Sequence, residues 1–299
     1  MIMSNKTFSI RGVIPNLITP FNQEGDIVWD AVTREAQLLD RAGVDAICVG
    51  GCLSEVSGSP ADELLQLCEV VGNSTKKPVI AAIFPDSEPE AIELLKAVAR
   101  GGARAVVVAQ PHYLFQPDPL GLIAMFRRLR DSSALPVLLG NFLHSAQLDL
   151  AIIGQLMEED LIQGVVQGGG NAHLLVDLLR VHPRVPVFSG VEDLQYVGLI
   201  LGAEGMLSDL AGLLPAECVE LHRAVQVGNH AAARIRHERL LRVWRVLEHP
   251  VELLSRVRFA LLAQGRSAGM PRSPYSVVLG ESAVAQVQAV LQREGIMAA

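Results

Sequence analysis

Eight short runs of Val, Ile, Leu and Ala recur along the chain. They are VIPNLIT (13–19), DAICVGG (45–51), PVIAAIF (78–84), AVVVAQP (105–111), PVLLGN (136–141), IQGVVQG (162–168), VPVFSG (185–190) and GMLSD (205–209). The runs are almost continuously apolar rather than alternating, the pattern of parallel strands covered on both faces. Amphipathic segments separate them. In WDAVTREAQLLDRAG, the residues Val32, Ala36, Leu39 and Gly43 share one helical face, and EPEAIELLKAVARGG closes on a glycine pair suited to a helix C-terminus. Strand starts recur every 20 to 33 residues. Eight such βα units predict an α/β fold, a (β/α)8 TIM barrel, ahead of any doubly wound sheet.

Beyond the eighth run the pattern becomes helical. PAECVELHRAVQVG is read as the eighth barrel helix. It is followed by HAAARIRHERLLRVWRVLEH, PVELLSRVRFALLAQG and SAVAQVQAVLQREG. The expected organisation is a barrel over 1–228 and a C-terminal helical extension over 229–299, packed on the barrel. Leu240, Val243, Trp244 and Leu247 form a stripe that must pack on something. Arg234, Arg236, Arg239, Arg242 and Arg245 crowd the same segment, and an ion-paired or solvated face is expected there rather than an anion site.

Composition narrows the function classes. The 299 residues are 50% hydrophobic, and the net charge is −7, which argues against nucleic acid as a partner. No apolar run is long enough to span a bilayer, and MIMSNKTFSIRG lacks the apolar core of a signal peptide, so no membrane partner and a cytoplasmic location are expected. The spacing of Cys48, Cys52, Cys68 and Cys218 matches no zinc motif; reduced thiols, some in the core, are expected.

In a barrel of this kind the chemistry sits where the strands end. The first strand ends in Thr19, Pro20 and Phe21. The second offers Cys52, Ser54 and Glu55, the third Asp86, and the fourth Gln110, His112 and Tyr113. The fifth offers Asn141 and His144, and the sixth ends in Gln167, the glycines 168–170 and Asn171. The seventh offers Ser189, Glu192 and Asp193, and the eighth Ser208 and Asp209.

ITPFNQEGDI, GVDAICVGG followed by Glu55, GARAVVVAQPHY, LPVLLGN, SGVED, LGAEGMLSD and GRSAGMPRSP occur in a fixed order over nearly the whole chain. Together they resemble the dihydrodipicolinate synthase/N-acetylneuraminate lyase family. The resemblance implies a TIM barrel with a C-terminal helical extension, assembled as a homotetramer or homodimer. It also implies aldolase-type chemistry in which a strand 6 lysine forms a Schiff base with pyruvate and a strand 5 tyrosine shuttles protons. A hydroxyl-bearing loop after strand 2 holds the keto acid's carboxylate. Carried over to this chain, the lysine position falls on Val166 and the tyrosine position on Gly140. The two hydroxyl residues of the loop fall on Cys52 and Leu53, and FLHSAQ lacks the arginine that synthases carry past the strand 5 asparagine. Gly51, Glu55, Tyr113, Asn141 and the Ser189-Gly190 turn are retained. In synthases the counterpart of Tyr113 reaches into a neighbouring subunit's site.

The chain's four lysines are Lys6, Lys76, Lys77 and Lys96, none of which the pattern places at the mouth. A Schiff base needs an amine. The expectation is therefore a lyase-like family member acting on, or binding, a small carboxylate or carbonyl compound without Schiff-base chemistry and without a cofactor. The alternative is a catalytically inactive paralogue that serves as a ligand-binding or regulatory partner. Glu55, His112 and Tyr113 are the candidate catalytic groups, with His112 or Glu55 as acid or base. Cys52, Ser54, Gly140, Asn141, His144, Val166, Gly168 and Ser189 are the candidate binding residues. Glu55 is equally suited to a hydrogen-bonding role in its own loop. No metal is expected, because the His, Asp and Glu residues lack tight ligand spacing. The glycines at 168–170, ahead of a helix starting near Asn171, suit either an anion nest or plain turn geometry. Cys52 as a nucleophile has no base near it in sequence. Loss of the lysine and tyrosine leaves an apolar mouth, roomier unless Phe142, Leu143 or His112 fills the gap.

Overall fold

The computed structural model describes residues 9–298 except 58, 112–116, 182–184 and 276. The eight runs form strands β1 (Gly12–Pro15), β2 (Ile47–Val49), β3 (Val79–Ile83), β4 (Ala105–Ala109), β5 (Val137–Asn141), β6 (Gly164–Gln167), β7 (Val187–Ser189) and β8 (Gly205–Ser208). From β2 to β8 each strand pairs in parallel with the next, and β8 pairs with β1. The β1–β2 seam is closed by a parallel bridge between Asn16 and Cys48, with Leu17 N–H donating to Cys48 O over 2.8 Å. The result is a (β/α)8 barrel.

Helices α1 (Trp29–Arg41), α2 (Ala61–Ser74), α3 (Glu88–Arg100), α4 (Pro119–Ser132), α5 (Leu150–Glu158), α6 (Ala172–Val181) and α7 (Gln195–Ile200) follow strands one to seven. Their apolar stripes face the sheet; Val32, Ala36 and Leu39 of α1 are all buried. Inside the barrel, Ile14, Cys48, Ile80, Val107, Leu138, Val166, Phe188 and Leu207 interlock. The barrel is therefore a packed core that can open only at its ends.

The end of the eighth strand differs from the sequence reading. Asp209 does not end the last strand; it starts a short helix, α8 (Asp209–Leu213), that precedes α9 (Pro215–Gln226). The cause is local: Ser208 Oγ accepts the N–H of Ala211 over 3.1 Å, a side-chain cap that turns the chain into a helix directly at the strand end.

The C-terminal helices are α10 (His230–Leu247), α11 (Leu253–Ala263) and α12 (Glu281–Arg293). The stripe Leu240, Val243, Trp244, Leu247 is buried. The arginines of α10 are ion-paired: Arg234 with Glu238, Arg236 and Arg239 with Glu217, Arg242 with Glu294, and Arg245 with Asp193 and Glu248. Arg266, just past α11, is buried against Glu35 of α1 and donates to the carbonyls of Gly212 and Leu213 at 2.8 Å each. The C-terminal segment thus fastens the end of α8 to α1. No helix among the described residues is long and apolar enough to cross a membrane.

Candidate active site at the barrel mouth

The C-terminal ends of the strands surround a cavity of about 40 Å³. That is room for a few non-hydrogen atoms, since one water needs about 10–15 Å³ on the same measure. Its apolar wall is Ala82, Val107, Val166, Leu207 and Phe142, and Gly51, Cys52 and Gly190 supply small residues at the rim. Its polar wall is Asn16, Glu192 and Asp209.

The polar wall is built by three strands. Asn16 follows β1, Glu192 lies in the turn after β7, and Asp209 follows β8. Glu192 is buried, and donors surround it. Its Oε1 accepts the N–H of Asp209 at 2.6 Å and of Leu210 at 3.4 Å, while its Oε2 accepts the Ser208 hydroxyl at 2.6 Å and the Gln195 amide at 3.5 Å. Glu192 therefore supplies the acceptors for the first N–H groups of α8. Asp209 Oδ1 accepts from Asn16 Nδ2 at 2.7 Å; no hydrogen bond reaches Oδ2 from the described residues. Asn16 is 4% exposed, and its Oδ1 has no partner. Burial, reinforced for Glu192 by the Asp209 charge, pushes the two carboxyls up, to about 8 for Glu192 and about 6 for Asp209. These steps belong to the pair rather than to either residue. Both carboxyls are harder to ionise than free ones, and the second negative charge is harder to place than the first. Desolvation of its sulfur, with the charges of Asp209 and Glu192 close by, also pushes the Cys52 thiol up, although the residue as a whole is exposed.

Phe142 decides the shape of the apolar wall. Gly140 and Val166 face each other across the β5–β6 pair. A Cβ on Gly140 would lie 2.7 Å from Phe142 Cε1 and 3.1 Å from Val107 Cγ1. The Phe142 ring thus lies over Gly140 and fills the room that a larger side chain there would take, tilted against Phe84 at a centroid distance of 5.7 Å. This side of the mouth is apolar but not roomy.

The candidate residues are distributed as follows. Cys52 and Val166 line the cavity. Gly140 lies behind Phe142. Ser54 is buried and donates to Gly51 O over 2.6 Å. Asn141 is buried; its Nδ2 donates to Gln167 Oε1 at 2.8 Å and its Oδ1 accepts from Leu148 N–H at 2.8 Å, so it shapes the loop after β5. Ser189 is buried with its hydroxyl unpartnered, outside the cavity lining. His144 is exposed, beside Gly170. Gly168 lies next to a Gln147 amide that donates to its carbonyl over 2.9 Å. That amide also lies where a side chain on Gly169 would go, so Gln147 occupies the glycine turn that an anion would need. Asn171 caps α6 through Leu174 N–H at 3.0 Å.

Glu55 lies outside the cavity lining. Its carboxylate takes a forked ion pair from Arg258 of α11, with Nε at 2.8 Å, and accepts Arg272 N–H at 2.6 Å. Its side chain is 2% exposed. His112 and Tyr113 lie outside the described residues. Among the described residues no lysine lines the cavity: Lys76 and Lys77 precede β3 at the opposite end of the barrel, and Lys96 is exposed on α3. No group of three or more His, Cys, Asp or Glu among the described residues is placed to hold a metal.

The sequence reading named Glu192 and Asp209 as strand-end groups without joining them, and it passed over Asn16. An acid at the end of strand 7 with another directly after strand 8 was the available signal, since adjacent strands bring those ends together.

Gly51 makes a specific prediction. A Cβ there would lie 2.2 Å from Asn16 Oδ1. Gly51→Ala is expected to push Asn16 out of place, freeing Asp209 Oδ1, at a cost of about 1–3 kcal/mol of stability. Urea denaturation measures it, and an unchanged midpoint would mean that Asn16 swings aside freely.

The family comparison is decisive on ancestry. A model of the dihydrodipicolinate synthetase family matches residues 9–294. The chain belongs to that family. It is similar to the 4-hydroxy-tetrahydrodipicolinate synthase of Methanothrix thermoacetophila, 28% identical over 273 residues that cover 89% of this chain and 92% of the relative. The enzyme of the same name from Archaeoglobus fulgidus is 28% identical over 288 residues, covering 94% and 97%. Among solved structures, a family member from an E. coli K12 prophage in complex with pyruvate is 26% identical, with a TM-score of 0.88 over 96% of this chain and 99% of that one. A dihydrodipicolinate synthase from Cyanidioschyzon merolae with lysine bound gives the same identity, TM-score and coverage.

Proposed function

We propose that this family member acts on a small carbonyl or carboxylate compound by acid–base chemistry, without an imine to a lysine of its own. One observation carries the reading: the cavity that meets β6 through Val166 meets β7 and β8 through the carboxyl pair Glu192 and Asp209. A buried pair holding one proton near neutrality is poised to take and return a proton. Asp209 Oδ2 is the atom free to do so. It takes the proton from the carbon next to a ligand carbonyl. The C–H electrons become a C–C double bond, and the carbonyl π electrons move onto oxygen, towards the protonated Cys52 thiol. Return of the proton restores the carbonyl.

Two measurements test this. Pyruvate with cyanoborohydride is expected to leave the intact mass unchanged; a reduced pyruvyl adduct on a lysine would overturn the reading. Carbonyl compounds incubated with the protein in D2O are expected to exchange their α-hydrogens, at a rate lowered by roughly 10²-fold or more in Asp209→Asn. Ligand binding with no exchange at all would favour the inactive, ligand-binding paralogue. The same reading takes the protein to be cytoplasmic and a homotetramer or homodimer, and light scattering of the purified protein tests the assembly.

A further inference from the structure

We infer that the barrel mouth selects a small carbonyl compound bearing a primary amine, a cation, over the corresponding keto acid. This rests on the reading of the mouth as a working ligand site and adds the charge of what enters it.

Three features carry the inference. The first is the sign of the wall. Glu192 and Asp209 are the ionisable carboxyls of the cavity, and among the described residues no Lys, Arg or His lines it. Arg258, a buried guanidinium that holds the loop after β2, is paired with Glu55 and is not part of the cavity lining. A buried negative charge without a counter-ion is costly, and a cationic ligand relieves it where an anionic one adds to it. The second is hydrogen-bond polarity. Asn16 Oδ1 is a buried acceptor with no partner, and Asp209 Oδ2 is an acceptor left open. One of the two Asn16 Nδ2 hydrogens is given to Asp209 Oδ1, and the four donors around Glu192 are already given to its carboxyl group. The wall therefore asks for donors, and an ammonium offers three with no acceptor. A carboxylate offers none. The third is size. A cavity of about 40 Å³ holds an ammonium and the one or two carbons next to it. The amine end therefore sits on the polar wall, and the rest of the molecule lies towards the rim at Cys52 and Phe142.

The test uses three ligands of nearly one shape that differ in charge: aminoacetone, hydroxyacetone and pyruvate. Calorimetric titration of the full-length protein at low salt is expected to give aminoacetone at least tenfold tighter binding than pyruvate, with hydroxyacetone between them. Asp209→Asn keeps the shape and removes a charge, and it is expected to erase the preference for aminoacetone. Pyruvate or hydroxyacetone binding the wild type as tightly as aminoacetone overturns the inference, and so does an unchanged preference in Asp209→Asn. The wild-type comparison stands by itself if that variant does not fold. α-Hydrogen exchange of hydroxyacetone without a preference for aminoacetone sinks this inference and leaves the acid–base reading intact. Aminoacetone preference without exchange of any of the three ligands does the reverse.

Discussion

Arg258→Met is expected to destabilise the protein by about 3–5 kcal/mol, a large share of the roughly 5–15 kcal/mol that holds a typical domain together. Arg258 is 2% exposed and lies at the meeting point of three parts of the chain. Its guanidinium is paired with Glu55, donates to Thr19 O at 2.9 Å and to Ala268 O, and lies 5.2 Å from the Phe21 ring centroid. Burial disfavours the cation and the Glu55 charge favours it. Removing the guanidinium leaves a carboxylate that is 2% exposed without its counter-ion, together with two carbonyls without donors. Glu55 is also held at φ 57°, a left-handed conformation that costs a non-glycine residue about 1–2 kcal/mol and persists only while its surroundings impose it. The double variant Glu55→Met/Arg258→Met is expected to recover part of the loss, since two apolar groups need no counter-ion. It should not recover all of it, because Arg272 N–H, Thr19 O and Ala268 O still lose their partners. Urea denaturation of the wild type, both single variants and the double variant measures the coupling. Additive costs would mean that the pair contributes nothing beyond its separate contacts.

This contact also explains how the C-terminal helices reach the site. The loop after β2 carries Cys52 to the cavity and ends in Glu55. Arg258 of α11 and the backbone of Arg272 hold Glu55 in place. Arg272 in turn is paired with Glu63 at the start of α2 and donates to Gly25 O over 2.8 Å. The mouth is therefore shaped partly by residues more than 200 positions along the chain from the loop they hold.

That distance marks what the sequence could and could not disclose. The strands were legible because a parallel strand buried on both faces leaves an uninterrupted apolar run, and eight of them admit few closures. The ion pairs of α10 were legible as a type, since arginines crowded on a helix seek acids. Arg258 was not, because inside an apolar helix nothing local says that its partner is Glu55. The Glu192–Asp209 pair was hidden for a related reason. The two acids are 17 residues apart on successive strands, and what joins them is the helix start at Asp209, where a strand end was expected. Asn16 lay inside an apolar run, where one polar residue reads as an interruption. Phe142 was named as able to fill the gap left at Gly140, but only packing decides which of several neighbours turns inward.

The carboxyl pair carries the second large expected effect, a loss of stability with rising pH that Glu192→Gln removes. A carboxyl whose folded value lies above its unfolded value binds more protons folded than unfolded, so it favours the folded state at low pH and loses that advantage as pH rises. Glu192 is raised from 4.5 to about 8 and Asp209 from 3.8 to about 6. The window therefore runs from about pH 4, where both states hold the protons, to about pH 8, where both have released them. Each unit of offset corresponds to about 1.4 kcal/mol, so even part of it amounts to a few kcal/mol across the window. Other groups act at the same time and with other signs. Asp40, Glu63, Glu159 and Glu294 are held low by hydrogen bonds or ion pairs, and their favourable contribution is complete by about pH 5. His222 and His237 are lowered by burial, so they add stability as pH rises through the histidine range and partly mask the pair. The difference between wild type and Glu192→Gln cancels those shared terms. Glutamine preserves the shape: its oxygen can accept the N–H groups of Asp209 and Leu210, and its amide can donate to Ser208 Oγ. The variant is expected to match the wild type within about 1 kcal/mol at pH 5 and to exceed it by roughly 2 kcal/mol or more at pH 8. Urea denaturation at half-unit steps reads this directly. A difference that stays flat from pH 5 to 8 would mean that Glu192 is ionised throughout, stabilised by its four donors, and that the pair holds no proton to lend at neutral pH.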